Sequence, residues 1–477
     1  MNKTKLVSCF LSGRRKSISK YENQTEELQL NVLHKLICQA IHTEWGQTHG
    51  FAQVKDYDSF TKTSPVNTYE ELKSYIDRMR HGEKDVLWSG QVRWYAKSSG
   101  TTNDKSKFIP VSKECLQDTH YRGGTDAVAL YLGQNPRSRM FDGKALILGG
   151  SHAPNYNLPH SLVGDLSAIL IENASPFVNY FRIPSKKVAL LGDFEEKRER
   201  IAQAAIRENV TNLSGVPSWM LSVLTRVMDI SGKTHLEDVW PGIEVFFHGG
   251  VAFTPYREQY RQLVTASDMH YMETYNASEG FFGLQNDLQD RSMLLMIDYG
   301  VFYEFIPMDE IDKENPQIVP LWGVETGKNY AMVISTSAGL WRYMIGDTVK
   351  FTQKNPYKFI ITGRTKFFIN AVFMDRNAKC RHQWLIEFAK EPESLTDFAH
   401  ILDLKLQEIN SDYEAKRYKD ITLQHLEIIP ARKNLFDDWL KSKGKLGGQH
   451  KIPRLSNTRT YIDEMLSINA PAKPEDF

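Results

Sequence analysis

The chain has 477 residues, of which 41% are hydrophobic and 25% charged, a composition typical of a globular protein with roughly two to four domains. With a net charge of +1, nothing in the composition indicates binding to nucleic acid or to an anionic membrane surface, and no apolar run is long enough to cross a bilayer. We therefore expect a protein whose partners are small molecules, with no role for nucleic acid or membrane.

The first 85 residues predict helices that serve as a packing layer. Apolar residues recur at spacings of three and four over 29–41 and 69–79, which predicts amphipathic helices. The apolar stretch 7–11 is too short for a signal peptide and runs into the basic residues 14–16, so we expect a cytoplasmic location. The cysteines lack metal-type or disulfide-type spacing and indicate reduced thiols. They are Cys9, Cys38, Cys115 and Cys380.

A loop rich in hydroxyl groups follows, between predicted short strands at 92–96 and 108–111. Its sequence is Ser98-Ser99-Gly100-Thr101-Thr102, with Lys105 and Lys107 shortly after. Hydroxyl and backbone N–H groups donate to phosphate oxygens, the glycine permits close approach, and a lysine adds positive charge. The same composition is ordinary in a polar hairpin turn, so this loop alone favours a polyphosphate site without deciding it.

Strands and helices then alternate along the chain. The pattern predicts a helix over 113–132, a strand over 144–148, a helix over 199–208 and a helix beginning at Pro217. A strand at 243–247 runs into Gly249-Gly250, and a helix at 255–263 separates it from a strand at 269–275. Asn276-Ala277-Ser278-Glu279 follows that second strand. Strand, helix and strand indicate a parallel α/β sheet, whose carboxyl ends would bring both polar tips to one crevice.

The next segment, 292–352, predicts antiparallel strands that lead to Tyr343-Met344-Ile345-Gly346-Asp347. The candidate strands are 293–296, 301–306 and 330–335, with a further strand at 358–362. Beyond these, a strand at 382–388, an amphipathic helix at 394–409 and a last helix opening at 436–440 indicate a small α+β unit. We place a large domain at 1–362 and a small one at 363–477.

Three of these motifs, taken in order, resemble the nucleotide-binding motifs of acyl-adenylate-forming enzymes. They are the hydroxyl-rich loop, Tyr275-Asn276-Ala277-Ser278-Glu279 and Tyr343-Met344-Ile345-Gly346-Asp347. Asn103-Asp104 stands where the luciferase-like branch usually has a glycine. The details look most like the Gretchen Hagen family of acyl-acid amido synthetases, in a bacterial form. Further motifs that resemble that family are Phe247-His248-Gly249-Gly250-Val251, Gly363-Arg364-Thr365-Lys366 and the stretch 447–457.

The resemblance implies an α/β fold with a large adenylate-forming domain, which includes an antiparallel β region, and a small mobile α+β domain. It also implies a reaction in two steps. A carboxylic acid attacks the α-phosphate of ATP, which gives an acyl-adenylate and pyrophosphate. An amine, usually of an amino acid, then displaces AMP and forms an amide.

The resemblance further assigns residues to ATP and Mg²⁺, the two implied cofactors. The hydroxyls of Ser98, Ser99, Thr101 and Thr102, with Gly100 between them, would bind the phosphates. Gly249 and Gly250 would let the backbone lie along adenine, and Tyr275 would pack against the base. The adjoining Asn276, Ala277 and Ser278, together with Tyr343, complete the implied nucleotide site.

Three charged residues have sharper implied roles. Glu279 would hold Mg²⁺, a hard cation that prefers carboxylate and phosphate oxygens. Asp347 would accept hydrogen bonds from both ribose hydroxyls. Lys451, on the small domain, would approach the α-phosphate and offset the charge that develops there. Taken singly, each has an ordinary structural interpretation as a surface carboxylate, a turn residue or a solvated lysine, and the joint pattern outweighs these.

Several alternatives remain open from the sequence. The acyl group could pass to a thiol such as coenzyme A, or the chain could bind a nucleotide without catalysis. Trp219, Met220 and Tyr121 are candidate walls of the acyl pocket, although such residues more often belong to a core.

One departure from the family concerns the small domain. Ten residues, 372–381, stand where the family has a Gly-Glu-Glu-type segment, a helix and a further strand. The region around 436–439 also differs from the usual pattern. We therefore expect adenylation to be retained and the transfer step to be impaired.

Overall fold

The computed structural model describes residues 3–98, 107–266, 268–311, 313, 315–364, 370–374, 380–388, 392–409, 413–414, 417, 423–433, 435–442 and 459–469. The chain forms two compact units. The first comprises Met1–Phe253 and Tyr260–Ile361, and the second comprises Thr254–Gln259 and Thr362–Phe477. No helix among the described residues combines the length and apolar character that a membrane span requires.

A layer of helices opens the first unit, as the apolar spacing predicted. Its helices are α1 (Lys3–Phe10), α2 (Ser12–Ile18), α3 (Thr25–Ala40), α4 (Glu44–Thr48), α5 (Tyr57–Thr63) and α6 (Tyr69–Arg80). Helix α3 buries Val32, Leu33, Leu36 and Ile37, one face of a 3.6-residue repeat. Helix α6 begins with a capping box between Thr68 and Glu71, which pairs backbone donors that the first turn leaves open.

A small three-stranded sheet carries the start of the hydroxyl-rich loop. Strand β1 (Trp94–Ser98) pairs with β2 (Lys107–Val111) antiparallel, and Ser98 lies opposite Lys107. The two predicted strands are therefore confirmed, with slightly shifted bounds. The sheet is completed by β4 (Leu162–Gly164), which pairs parallel to β1.

A twelve-stranded sheet holds the predicted parallel region. Its parallel strands are β3 (Lys144–Ile147), β5 (Arg182–Ile183), β6 (Val210–Gly215), β7 (Val245–Gly249) and β8 (His270–Ala277). They lie in the order β8-β7-β6-β3-β5, and every neighbouring pair among them is parallel. The prediction that the strands before Gly249 and Asn276 are parallel neighbours is confirmed, so their carboxyl ends share one edge of the sheet.

Helices connect these strands. A π-helical turn, Cys115–Tyr121, leads into α7 (Arg122–Gln134). The others are α8 (Leu166–Glu172), α9 (Pro176–Phe181), α10 (Lys186–Ala189), α11 (Phe194–Ala205), α12 (Pro217–Ser231), α13 (Leu236–Val239) and α14 (Arg257–Leu263). Pro217 occupies the first turn of α12, as predicted, where its missing N–H costs no hydrogen bond.

The rest of the sheet is antiparallel. Its strands are β9 (Gly280–Leu284), β10 (Met293–Leu295), β11 (Val301–Pro307), β12 (Val319–Pro320), β13 (Asn329–Thr336), β14 (Tyr343–Lys354) and β15 (Tyr357–Arg364). Antiparallel pairing of β11 with β13 and of β13 with β14 confirms the prediction for 292–352. Strand β11 is buried along its whole length, which places the main core of the unit at this part of the sheet.

The second unit is a small α+β structure, as expected. It contains β16 (Asn370–Met374), β17 (Cys380–Ile386), β18 (Leu423–Pro430), α15 (Leu395–Ile409), α16 (Leu435–Ser442) and α17 (Thr460–Ile468). Leu385, Leu435, Trp439, Ile462 and Met465 form its core. The prediction that the helix opening at 436 is the last one was wrong, because α17 follows it and buries Ile462 and Met465. That helix follows the stretch 447–457 in the sequence.

Candidate active site

The carboxyl edge of the parallel strands brings two of the predicted motifs side by side. In the register of β7 and β8, His248 lies opposite Glu273 and Gly249 lies opposite Thr274. The hydroxyl of Thr274 donates to the carbonyl of His248 at 3.1 Å. The tip at Gly249-Gly250 and the tip at Asn276 are thus fixed to each other through adjacent strands.

Both glycines of the first tip have a conformational reason. A Cβ at residue 249 would lie 2.2 Å from the carbonyl oxygen of Thr274, far inside van der Waals contact. Gly250 has φ +82°, a backbone conformation that favours glycine. The close approach seen at Gly249 is to the neighbouring strand, and the predicted approach of this backbone to adenine stays a prediction.

Strand β8 runs into a tight turn that carries the predicted metal ligand. Ala277 pairs with Gly280, so Ser278 and Glu279 form the turn between β8 and β9. The side chain of Glu279 is buried, although an isolated surface carboxylate would be exposed. No group of three or more His, Cys, Asp or Glu residues in the described part of the chain is placed to hold a metal ion.

The second and third motifs meet through a buried hydrogen bond. The phenol of Tyr275, on β8, donates to Oδ2 of Asp347, on β14. Both residues are 7% exposed. The ring of Tyr275 packs on Phe282, with centroids 5.0 Å apart, and on Phe359 at 6.1 Å. Packing by β9 and β15 therefore holds the phenol in position beside the carboxylate.

The start of β14 is tied to the helical layer. The N–H of Asn67 donates to the carbonyl of Arg342 at 2.9 Å, and the N–H of Met344 donates to the carbonyl of Asn67 at 2.8 Å. Tyr343, between them, is fully buried. These bonds set the register of the strand that carries Asp347.

Arg342 itself is held in an unusual conformation. Its φ is +41°, which is uncommon for a residue with a side chain. Its guanidinium makes two hydrogen bonds to Glu304, at 2.9 and 2.8 Å, and donates to the carbonyl of Ser64 at 2.7 Å. The buried ion pair thus fixes the backbone directly before the third motif.

Sequence reasoning missed a buried histidine at the same edge. His120, in the π-helical turn, is 3% exposed, and its Nδ1 lies 2.9 Å from Oδ1 of Asn276. Burial lowers the pKa of His120 to about 4, which keeps the imidazole neutral near pH 7. Of the predicted pocket walls, Tyr121 donates to the carbonyl of Leu170 at 2.9 Å and Met220 is fully buried.

A buried lysine supports the neighbouring strand end. Nζ of Lys197, on α11, donates to the carbonyls of Gly149 and Gly150 at 2.6 and 2.8 Å. Burial lowers the pKa of this lysine to about 8. Its position in a charged stretch gave no signal of this role, because lysines on such helices normally lie in solvent.

Several predicted residues lie outside the described part of the chain. Of the hydroxyl-rich loop, the structure describes Ser98, at the end of β1. The predicted residues beyond the described ranges are Ser99, Gly100, Thr101, Thr102, Lys105 and Lys451. The structure therefore brings Tyr275 and Asp347 into contact, places Asn276, Ala277, Ser278 and Glu279 on the same tip, and leaves the other assignments as predictions.

Models of three domains of one family match most of this chain. The GH3 family N-terminal domain matches residues 14–269, the central domain matches 294–364 and the C-terminal domain matches 349–460. The chain belongs to the GH3 family. This confirms the Gretchen Hagen resemblance, while the bacterial form stays a prediction.

Individual GH3 proteins are distant in sequence. An indole-3-acetic acid-amido synthetase, GH3.3, from Arabidopsis thaliana is 22% identical in an alignment of 547 positions, gaps included, which covers 92% of this chain and 90% of that protein. A solved GH3.15 acyl acid amido synthetase in complex with 2,4-DB superposes with a TM-score of 0.65. It is 18% identical and the match covers 97% and 96% of the two chains.

The fold extends beyond GH3 proteins. A 2-hydroxyisobutyryl-CoA ligase, solved with 2-HIB-AMP and CoA, gives a TM-score of 0.53 at 11% identity, with 94% of each chain covered. These likenesses confirm the predicted mixed α/β fold class.

Proposed function

We propose that this GH3 protein is an ATP-dependent acyl-acid amido synthetase. The observation that carries the proposal is the hydrogen bond from Tyr275 to Asp347, which joins two of the motifs that the resemblance assigns to one nucleotide. Membership in the GH3 family and the amido synthetase activity named for its Arabidopsis relative support the same reaction.

The proposed reaction has two balanced steps. An oxygen of the substrate carboxylate attacks the α-phosphorus of ATP, and pyrophosphate leaves. The nitrogen of an amine, which we propose to be that of an amino acid, then attacks the acyl carbon, loses a proton, and displaces AMP. The solved relative with a bound acyl-AMP supports the first step as chemistry that this fold accommodates.

Tyr275, Asp347 and Glu279 offer side chains that fit a magnesium nucleotide. The side-chain oxygens of Asp347 suit paired ribose hydroxyls as acceptors, and the phenol of Tyr275 orients them. Glu279 is a buried carboxylate on the same tip, and Mg²⁺ commonly binds one or two carboxylates together with substrate phosphates. We propose that Glu279 holds Mg²⁺ and that adenine packs near Tyr275 and Gly249-Gly250.

The remaining roles follow the family motifs. We propose that Ser98 and the hydroxyl-rich loop bind the phosphates, and that Lys451 stabilises charge at the α-phosphate. We further propose that residues 1–362 bind ATP and the acyl acid, that 363–477 form the small mobile domain, and that the protein works in the cytoplasm.

A panel of carboxylic acids tests the proposal. Each acid is incubated with the protein, ATP and Mg²⁺, and exchange of labelled pyrophosphate into ATP is measured. We expect exchange with some acids, AMP as the nucleotide product, and an amide when amino acids are added. Formation of ADP, or a thioester with coenzyme A in place of an amide, would show that a different ligase reaction operates. Nucleotide binding without exchange for any acid would contradict catalysis.

A further inference from the structure

His120 differs from its neighbours on the π-helical turn. The hydroxyl of Thr119 donates to the carbonyl of Tyr299 at 2.6 Å, and Tyr121 donates to Leu170. His120 bonds Asn276 through Nδ1, but its Nε2 is buried with no hydrogen-bond partner among the described residues. Such turns, with their wider hydrogen-bond spacing, frequently occur at functional sites.

The bond to Asn276 settles which nitrogen carries the hydrogen. Oδ1 of the amide accepts hydrogen bonds, so Nδ1 of His120 is the donor. Because burial lowers the pKa of this imidazole to about 4, the ring is neutral and has a single N–H. Nε2 is therefore left with a lone pair, as a buried acceptor that lacks a donor.

His120 contacts the tip where we place the nucleotide, through its hydrogen bond to Asn276. Asn276 follows Tyr275 directly and shares its tip with Glu279, where we place the nucleotide. In an adenylation the carboxylate of the acid must reach the α-phosphate of the nucleotide, so the acid must also lie near this tip. We infer that Nε2 of His120 is best paired by a hydrogen-bond donor on the acid, close to its carboxylate.

We propose that Nε2 of His120 accepts a hydrogen bond from a hydroxyl or N–H group of the acyl acid, so that the protein prefers 2-hydroxy acids and similar donors over their plain counterparts. This inference rests on the proposed function for the location of the acid. The physical reason for the preference is that a plain acid leaves Nε2 buried and unpaired, whereas the hydroxy acid satisfies it.

Matched pairs of acids test the proposal. Binding of both mandelate enantiomers and of phenylacetate, and of lactate and propionate, is measured by calorimetry without ATP, and pyrophosphate exchange is measured with ATP. We expect the hydroxy acid of at least one pair to bind and exchange about tenfold or more better than its counterpart. Equal or undetectable binding of both members in every pair would overturn the proposal.

Three substitutions at one position locate the effect. His120→Phe removes both nitrogens, and His120→Asn keeps an amide near the place of Nδ1 while it removes Nε2. His120→Gln keeps a polar atom near Nε2. We expect the ratio of the affinity for the hydroxy acid to that for the plain acid to fall to about one in the first two variants and to stay at the wild-type value in His120→Gln. His235 is exposed, and His235→Phe is the control in which this ratio should not change.

The thermal midpoint separates a structural role from a specificity role. If Nε2 is merely a core atom, His120→Phe raises the midpoint and leaves the ratio unchanged, which would refute the proposal. A preference in calorimetry without exchange for any acid would contradict the proposed synthetase while leaving the role of His120 standing. Pyrophosphate exchange with no preference for hydroxy acids would support the proposed synthetase and contradict the role of His120.

Discussion

Tyr275 and Asp347 are 72 positions apart in the chain, yet they share a buried hydrogen bond. The motifs predicted that these residues belong to one site, but neither spacing nor periodicity indicates that the phenol donates to the carboxylate. Tyr275 and Asp347 are each 7% exposed. A buried carboxylate needs a hydrogen-bond partner, and the phenol of Tyr275 supplies one.

Replacing Asp347 tests its place at the nucleotide. We expect Asp347→Ala to weaken ATP binding by about tenfold or more, because hydrogen bonds to a charged acceptor contribute roughly 1.5–3 kcal/mol. The dissociation constant for ATP is measured by calorimetry, with far-ultraviolet circular dichroism to verify folding. Tyr275→Phe is the matched control, because it removes the donor and keeps the carboxylate, so we expect a smaller loss. Unchanged ATP affinity in Asp347→Ala would remove this residue from the site.

The neutral state of His120 makes stability depend on pH. The pKa of His120 is about 4 in the folded protein and near the ordinary 6.5 in the unfolded chain, because burial disfavours the charged ring. Between these values the unfolded chain binds more protons, so the free energy of unfolding falls as the pH is lowered from 6.5 to 4.

Urea denaturation at pH 7 and pH 4.5 measures this effect. Between pH 7 and pH 4.5, we expect the free energy of unfolding to fall by about 1–3 kcal/mol more in the wild type than in His120→Phe, because the variant has no imidazole to protonate. Taking the difference between the two proteins cancels the titration of the carboxylates that they share. An identical loss in both proteins would show that His120 is protonated as readily in the folded state as in the unfolded chain.

At the scale of elements, periodic patterns predicted what the fold confirms. Helices α3, α6 and α12 and strands β7, β8, β11 and β13 followed from apolar spacing, and the parallel pairing of β7 with β8 followed from the helix between them. The π-helical turn and the positive φ of Arg342 had no such signal, because both depend on contacts with distant elements. The bond between His120 and Asn276 was missed for the same reason.

The close contact at Gly249 predicts an effect on the sheet edge. We expect Gly249→Ala to lower the free energy of unfolding by about 1–3 kcal/mol, because the new Cβ would lie 2.2 Å from the carbonyl oxygen of Thr274 and the strands must separate. Chemical denaturation measures the change. Gly192→Ala is the control, since a Cβ there meets no atom within 4 Å, and we expect it to stay within about 0.5 kcal/mol of wild type. Equal effects of both substitutions would contradict this account.

The ion pair before β14 predicts a larger effect. We expect Glu304→Ala to cost about 3–5 kcal/mol of stability, because it leaves the guanidinium of Arg342 buried without its carboxylate. Glu196→Ala is the control, because it breaks a salt bridge at the surface: the side chain of Arg200 is 51% exposed and that of Glu196 is 46% exposed. We expect this variant to lose less than about 1 kcal/mol of stability. Denaturant titrations of both variants test the contrast, and a small loss in Glu304→Ala would show that water or other groups reach Arg342.

At the scale of the whole molecule, the alignment with a GH3 relative contains positions that have no counterpart in this chain. The match to the Arabidopsis protein spans 547 positions, more than the 477 residues of this chain, so the relative has segments that this chain lacks. From the sequence we predict that segments are missing from the small domain around 372–381, whereas the nucleotide motifs of the first unit are present in the sequence. The two steps of the reaction should therefore differ in how well they survive.

Separate assays of the two steps decide this. We expect pyrophosphate exchange to proceed while amide formation lags behind it by about tenfold or more, because we propose that acyl transfer depends on movement of the small domain after adenylation. Exchange and amide yield are measured on the same acid and amino acid, with the Arabidopsis indole-3-acetic acid-amido synthetase on indole-3-acetic acid as the control for amide formation. Amide formation at the rate of exchange would show that the short domain, with its three-stranded sheet and helices α15, α16 and α17, is sufficient for transfer.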